Sequence, residues 1–293
     1  MSDTTIPMVD LDVTNCPPAV ELDMAGGSDI GQRRSQNQDH FMIAELQRQL
    51  SVIATDVPLD SCCELYGSEP GHLLVVADGM GGHSDGELAS SMAVQVCARY
   101  VLDMMHWFLK LSSKNGDEFL DELSYSLSSA QEALWEQSGS DEGRMGTTVT
   151  LAYILWPRMY VIHAGDSRCY VLRDQKLQQI TKDHTIAQRM VDEEVLTQKQ
   201  ADDSPFSHVL WNCVGGGDHP VRPEVVRFTL RSGDRILLCS DGLHGMLDQA
   251  AIHSIMGDGN ESKTTVDHLI RHANNAGGRD NITAVVATCR EVQ

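Results

Sequence analysis

The chain has 293 residues, long enough for one large domain or two small ones, and its 22 Lys plus Arg against 42 Asp plus Glu leave a formal net charge of -20. With no basic cluster interleaved with aromatics, that balance argues against nucleic-acid binding. The eight cysteines are scattered without a C-x-x-C pair, the N-terminus lacks a signal-peptide pattern, and no segment is long and apolar enough to span a bilayer, so the expectation is a cytoplasmic, reduced protein with no zinc site, disulfide framework or membrane contact.

Residues 1–22 show no clear periodicity and read as a tail or a leading strand, which leaves 23–293 as the main domain. An apolar run beginning with His40-Phe41-Met42 predicts a strand, and so does the run that ends at Asp78 and enters the glycine-rich turn Gly79–Gly82. From residue 85 to about 110, Leu88, Ala89, Met92, Ala93, Val96, Cys97, Tyr100, Val101, Met104 and Phe108 recur at helical spacing, with Ser84 and Glu87 as a capping box. Phe119, Leu120, Leu123, Leu127 and Leu134 predict a second helix. The period then changes. Residues 146–180 carry β-rich runs broken at Trp156-Pro157-Arg158, Gly165-Asp166-Ser167 and Asp174-Gln175-Lys176, which predicts an antiparallel meander with hairpin turns. Further strands are expected at Asp234–Asp241 and Asn281–Cys289, with one helix between them patterned by Val266, Leu269, Ile270 and Ala273 and stopped by Gly277. Antiparallel strands alternating with helix pairs predict an α+β architecture of packed sheets with helices outside.

Four aspartates stand at strand boundaries. Asp78 and Asp241 each end an apolar strand and precede a glycine, while Asp39 and Asp280 stand just before one. Because one strand's end lies beside its antiparallel neighbour's beginning, these side chains can converge on one rim. Clustered carboxylates repel unless protonated or neutralised by a cation, and oxygen donors suit hard divalent ions such as Mg²⁺ or Mn²⁺. Any one Asp-Gly pair is an ordinary turn. Arg34, five residues before Asp39, adds a guanidinium that can grip a phosphate bidentately or make a surface salt bridge. The glycine run matches no nucleotide-binding motif.

Taken in order, GQRRSQNQD (31–39), VVADGMGGH (75–83), GTT (146–148), HAGDSRCY (163–170), ITKDHT (180–185), LLCSDGL (237–243) and GGRDNIT (277–283) resemble the metal-dependent protein serine/threonine phosphatases of type 2C, bacterial members in particular. The resemblance implies an α-β-β-α sandwich of two antiparallel sheets flanked by helix pairs, with two tightly bound Mn²⁺ or Mg²⁺ ions and a third, weaker one. By position, Asp78 would bridge the two ions, the Gly79 carbonyl would bind one of them, and Asp241 and Asp280 the other. Asp166 would help hold the third ion with Asp241, Arg34 would bind the substrate phosphate, and Asp39 would orient water from behind the metals. Residues 183–220 resemble the flap beside the site. Met80 stands where eukaryotic members carry a proposed general-acid histidine, and His83 is either a substitute or a capping or surface residue.

The expected reaction is hydrolysis of phosphoserine and phosphothreonine by in-line attack of a hydroxide held between two metals, with no phosphoenzyme. The substrate would be a phosphoprotein, opposed by a serine/threonine kinase, and the enzyme a monomer. Two alternatives are a catalytically silent phosphoprotein-binding module of the same fold and a phosphatase for small phosphate esters.

Overall fold

The computed structural model describes residues 20–47, 49–51, 64–66, 70–81, 84–104, 116–138 and 145–291. From β1 (Val20–Asp29) the chain passes through the loop carrying Arg34 into β2 (Asp39–Leu46), the short pair β3 (Gln49–Ser51) and β4 (Glu64–Tyr66), and β5 (Gly71–Met80). Two long helices follow, α1 (Ser84–Met104) and α2 (Gly116–Ser138). The strands β6 (Gly146–Thr147), β7 (Val149–Leu155), β8 (Arg158–Ala164), β9 (Arg168–Arg173) and β10 (Lys176–Gln179) lead to α3 (Ile186–Asp192), α4 (Gln198–Asp202) and β11 (Val214–Gly215). Then come β12 (Glu224–Thr229), β13 (Arg235–Cys239), α5 (Asp241–His244), α6 (Gln249–Gly257), α7 (Ser262–Asn275) and β14 (Ile282–Glu291).

Two antiparallel sheets form the centre. One has the order β1-β14-β13-β9-β10; the other runs β11-β6-β5-β7-β8-β12, with β2 also paired to β5. The alternation within β5 shows how the layers arise: Leu73, Val75 and Ala77 pack under α1 and α2, while Leu74 and Val76 face the other sheet. Both faces of this strand are buried, so it reads as an unbroken apolar run. On the far side, Leu237, Val286 and Ala284 meet α6 and α7 through Ile252, Met256, Val266 and Leu269. The result is the α-β-β-α sandwich implied by the family resemblance.

The expected helix stripe forms α1, which starts at Ser84; the Ser84 side chain, His83 and Phe108 lie outside the described residues. The predicted meander is corrected at one point. β7 and β8 form a hairpin in one sheet and β9 and β10 in the other, so Gly165-Asp166-Ser167 is the crossing between sheets and not a hairpin turn. Gly165 makes the crossing possible: its φ is +120°, and a Cβ there would lie 2.5 Å from Thr148 Cβ. The expected single helix between β13 and β14 is joined by α5 and α6, both too short to show clear periodicity. α7 ends as read, with the Gly277 and Gly278 N–H groups bonding Asn274 and Ala273 carbonyls.

Candidate metal and phosphate site

The floor of the site is set by strand register. Asp39 is the first residue of β2 and lies opposite Asp78 of β5, and β5 runs on through Met80 by pairing with β6. Thr148 fixes the Asp78 backbone on both sides, accepting from Asp78 N–H at its hydroxyl (3.0 Å) and donating its own N–H to Asp78 O (2.8 Å). Asp241 enters from the other sheet as the first residue of α5. The Asp78 and Asp241 carboxyls line the same cavity, and the Asp241 charge helps to raise the Asp78 carboxyl. Ser240 caps no helix N–H; its hydroxyl donates to Asp39 Oδ2 (2.7 Å) and accepts from Thr283 N–H (3.0 Å), tying the sheets together beneath the site.

This cluster carries more negative charge than its described surroundings offset. Burial, followed by repulsion from Asp39 and Asp241, raises the Asp78 carboxyl well above the ordinary range, and burial with repulsion from Asp241 does the same for Asp166. Burial pushes Asp39 up to about 7 despite the Ser240 and Thr283 hydrogen bonds, and Asp241 is raised by burial and Asp280. Asp39 Oδ1 and Asp241 Oδ1 are buried without a hydrogen-bond partner. Clustered carboxyls with orphaned oxygens fit a divalent cation, which would satisfy the acceptors and offset the repulsion together.

Asp280 and Arg34 form the rim of a cavity of about 750 Å³ that is also lined by Asp78, Gly79, Asp166 and Asp241. Arg34 Nη2 donates to Asp280 Oδ2 at 2.5 Å, a bond that raises the arginine's pKa, and Asp280 Oδ1 accepts the Asn281 N–H (2.9 Å). Asn281 also holds the loop bearing Arg34: its Nδ2 donates to the Ile30 and Gln36 carbonyls and its Oδ1 accepts Gln38 N–H. Gly79 has a packing reason to be glycine beyond the expected access to its carbonyl. A Cβ there would stand 2.0 Å from Gly86 O.

Every residue expected at the site therefore gathers at this one end of the sandwich, with Asp39 beneath the floor and not on the cavity wall. Sequence reading gave no role to Thr148, Ser240 or Asn281, although each lies in or beside a quoted motif. It also missed His208. A nitrogen of this exposed ring and carboxylate oxygens of Asp166 and Asp241 all lie within 4.8 Å of one another.

A second histidine cluster lies nearby, with His163, His184 and Glu224 similarly close. Three of its four ring nitrogens are hydrogen-bonded. His184 Nδ1 accepts the Gly165 N–H (3.2 Å) and faces Asn212 Nδ2 (2.9 Å); Asn212 is oriented by its paired bonds to the Arg222 backbone, so its NH₂ donates. The His184 proton is thus on Nε2, 3.8 Å from Glu224. His163 Nε2 donates to Lys182 O (3.1 Å) and its Nδ1 accepts from Thr150 (2.9 Å). Burial holds His163 and His184 neutral, with pKa values lowered to about 3 and about 4. Asp183 has an equally structural use, in a bidentate pair with Arg168.

The pattern of the family described as protein phosphatase 2C matches residues 36–286. The chain belongs to that family. Among curated members, it is similar to the serine/threonine protein phosphatase PstP of Mycobacterium tuberculosis, 37% identical over 219 residues, which are 73% of this chain and 40% of PstP. It is 29% identical to the protein phosphatase PhpP of Streptococcus pneumoniae over 90% of this chain and 96% of PhpP. The first of these relatives is thus spanned over less than half its length. Among solved structures, the PstP catalytic domain in complex with two manganese ions superposes with a TM-score of 0.71 at 32% identity, covering 93% of this chain and 100% of that one.

Proposed function

We propose that the chain is a metal-dependent protein phosphatase that hydrolyses phosphoserine and phosphothreonine esters. The observation that carries this reading is the convergence of the Asp78, Asp166, Asp241 and Asp280 side chains on one cavity rimmed by Arg34, with carboxylate oxygens of Asp166 and Asp241 within 4.8 Å of each other. Asp78 and the Gly79 carbonyl would hold one Mn²⁺ or Mg²⁺ ion, Asp78, Asp241 and Asp280 a second, and Asp166 with Asp241 a weaker third. When bound, such ions supply Lewis-acid activation of water and neutralisation of phosphate charge.

The chain's own groups do the rest. Arg34, half-exposed and held only at its tip by Asp280, is placed to turn its planar fork to the substrate phosphate. Asn281 keeps that loop in register with Asp280, so the phosphate and metal positions are fixed relative to each other. Asp39 accepts Ser240 at Oδ2 and leaves Oδ1 to orient or accept a proton from water at the floor. Substrates of this class are made by serine/threonine kinases. Four buried free cysteines, Cys97, Cys169, Cys239 and Cys289, fit a reducing compartment such as the cytoplasm. No helix among the described residues is long and apolar enough to cross a membrane.

The test is chelation followed by readdition. Chelated protein should hydrolyse neither a phosphopeptide nor an aryl phosphate, and Mn²⁺ should restore both. Full turnover in excess EDTA would rule the reading out. Binding of a phosphopeptide without turnover in Mn²⁺ would favour the silent module, and preference for small phosphate metabolites the small-ester phosphatase.

A further inference from the structure

We infer that His208 is a protein ligand of the weak third ion, and that it makes this site a nitrogen-containing one suited to a divalent transition ion such as Mn²⁺ or Zn²⁺. The inference rests on the metal-dependent reading above. Asp166 comes from the crossing between sheets, Asp241 from the start of α5, and His208 from the segment between α4 and β11, so the three donors arrive on separate parts of the chain. Their ligand atoms lie within 4.8 Å of one another. Donors each about 2.1 Å from one ion stand roughly 3 to 4 Å apart, so closure around a cation needs only a small adjustment.

The imidazole is available. It is exposed, lines the cavity and makes no hydrogen bond to any described residue. The backbone on its C-terminal side is fixed: Val209 O accepts Ile186 N–H (2.8 Å), and Trp211 N–H donates to His184 O (3.0 Å). The ring is thus carried by a segment anchored to the start of α3. The carboxylates are ready as well, since among the described residues Asp166 is buried without a salt-bridge partner and Asp241 Oδ1 has no hydrogen bond.

The donor set decides the ion. The residues proposed for the two tight sites supply only oxygen, which suits Mg²⁺ and Mn²⁺ alike. An imidazole favours borderline transition ions over Mg²⁺ or Ca²⁺. Occupation of this site would also join the 203–213 segment to the ends of both sheets.

The decisive measurement is pulsed EPR on the full chain loaded with Mn²⁺ beyond two equivalents, alongside calorimetric titration. Only His208 supplies nitrogen to the proposed ligands. A ¹⁴N coupling from directly bound imidazole should appear with the third equivalent and vanish in both His208→Ala and Asp166→Ala, while two tight Mn²⁺ ions remain. The third Mn²⁺ should bind about tenfold more weakly in His208→Ala, and third-site Mg²⁺ affinity should change little. The Asp166→Ala control separates this site from surface histidines. Two tight ions without the coupling, no third ion, or a coupling that survives either substitution each overturn the assignment of His208 alone. A chain that binds no Mn²⁺ tightly overturns the metal-dependent reading, and the role of His208 falls with it.

Discussion

Two clusters of metal-type donors flank the stretch from His163 to Asp166, and they differ in what their atoms are free to do. In His163–His184–Glu224 three of the four ring nitrogens are committed: His184 Nδ1 accepts from Gly165 and Asn212, and His163 bonds Lys182 and Thr150. A metal on His184 Nε2 would need Nδ1 to donate, yet both of its neighbours donate to it. In Asp166–His208–Asp241 the acceptors are short of donors and the imidazole is unbonded. Proximity of metal-type residues is common to both clusters. The direction of the surrounding hydrogen bonds separates a latch from a site.

The sharpest way to break the contrast is to remove a carboxylate. Asp241→Asn should lower Mn²⁺-saturated turnover by roughly a thousandfold or more, as expected for a group that organises the reacting centre. Yet the metal-free protein should melt higher. The Asp241 carboxyl is raised above its unfolded value, so its ionisation costs stability at neutral pH, and asparagine removes that cost. Asp280→Asn should share the loss of activity without the rise in melting temperature, because Asp280 is partly exposed and already paired with Arg34. A turnover near that of the unmodified chain in either variant would show that these carboxylates do not hold the ions.

Arg34 tests the rim. Arg34→Ala should raise the phosphopeptide KM about tenfold while Mn²⁺ affinity holds or improves slightly, since a cation beside the ligands has gone; Arg34→Lys should recover only part of the loss. Titration of Mn²⁺ beside the steady-state kinetics distinguishes this from a metal defect. Asp166→Ala should give a loss on phosphopeptides of a similar order, smaller on an aryl phosphate whose phenol leaves without proton assistance. Equal losses on both substrates would remove any role in leaving-group protonation.

The smallest effect belongs to the latch. His184 titrates at about 4 when folded, below its ordinary 6.5 when unfolded, so the unfolded chain binds more protons between those values. The neutral ring's contribution is complete above pH 6.5 and fades as the pH falls toward 4, by on the order of 3 kcal/mol. His184→Gln should remove one proton's share of that slope, leaving the share of His163, and cost about 1 to 3 kcal/mol at neutral pH, because the Gly165 N–H loses its acceptor. Zn²⁺ should not raise the melting temperature through His163 and His184; a Zn²⁺-dependent rise abolished by His184→Gln would make this cluster a site after all.

The boundary aspartates were legible because an apolar run that meets Asp-Gly or begins after Asp is a local pattern, although β5 continues through Met80 and β2 begins at Asp39 itself. Their convergence followed from antiparallel geometry, and the register of Asp39 against Asp78 bears it out. The crossing at Gly165–Ser167 was not legible: Gly, Asp and Ser suit a hairpin equally well, and only the pairing of β9 with β13, far along the chain, separates the two. Ser240 and Asn281 act through partners about two hundred residues or more away, which no local spacing encodes. His208 lies in an irregular stretch with no periodicity, so its position over Asp166 depends on backbone bonds to α3 and its N-cap region.

The arrangement of Asp78 on one sheet and of Asp241 and Asp280 at strand ends of the other has a thermodynamic consequence. A cation held between them is a cross-link that exists only in the folded chain. Its contribution to stability then grows with the logarithm of free cation concentration, reaching about 2.7 kcal/mol at a hundred times the dissociation constant. With the proposed ions bound, the free cation concentration would set more than a rate of turnover. It would also set the fraction of molecules open to proteolysis, so a shortage of the ion would deplete the protein itself as well as slow it.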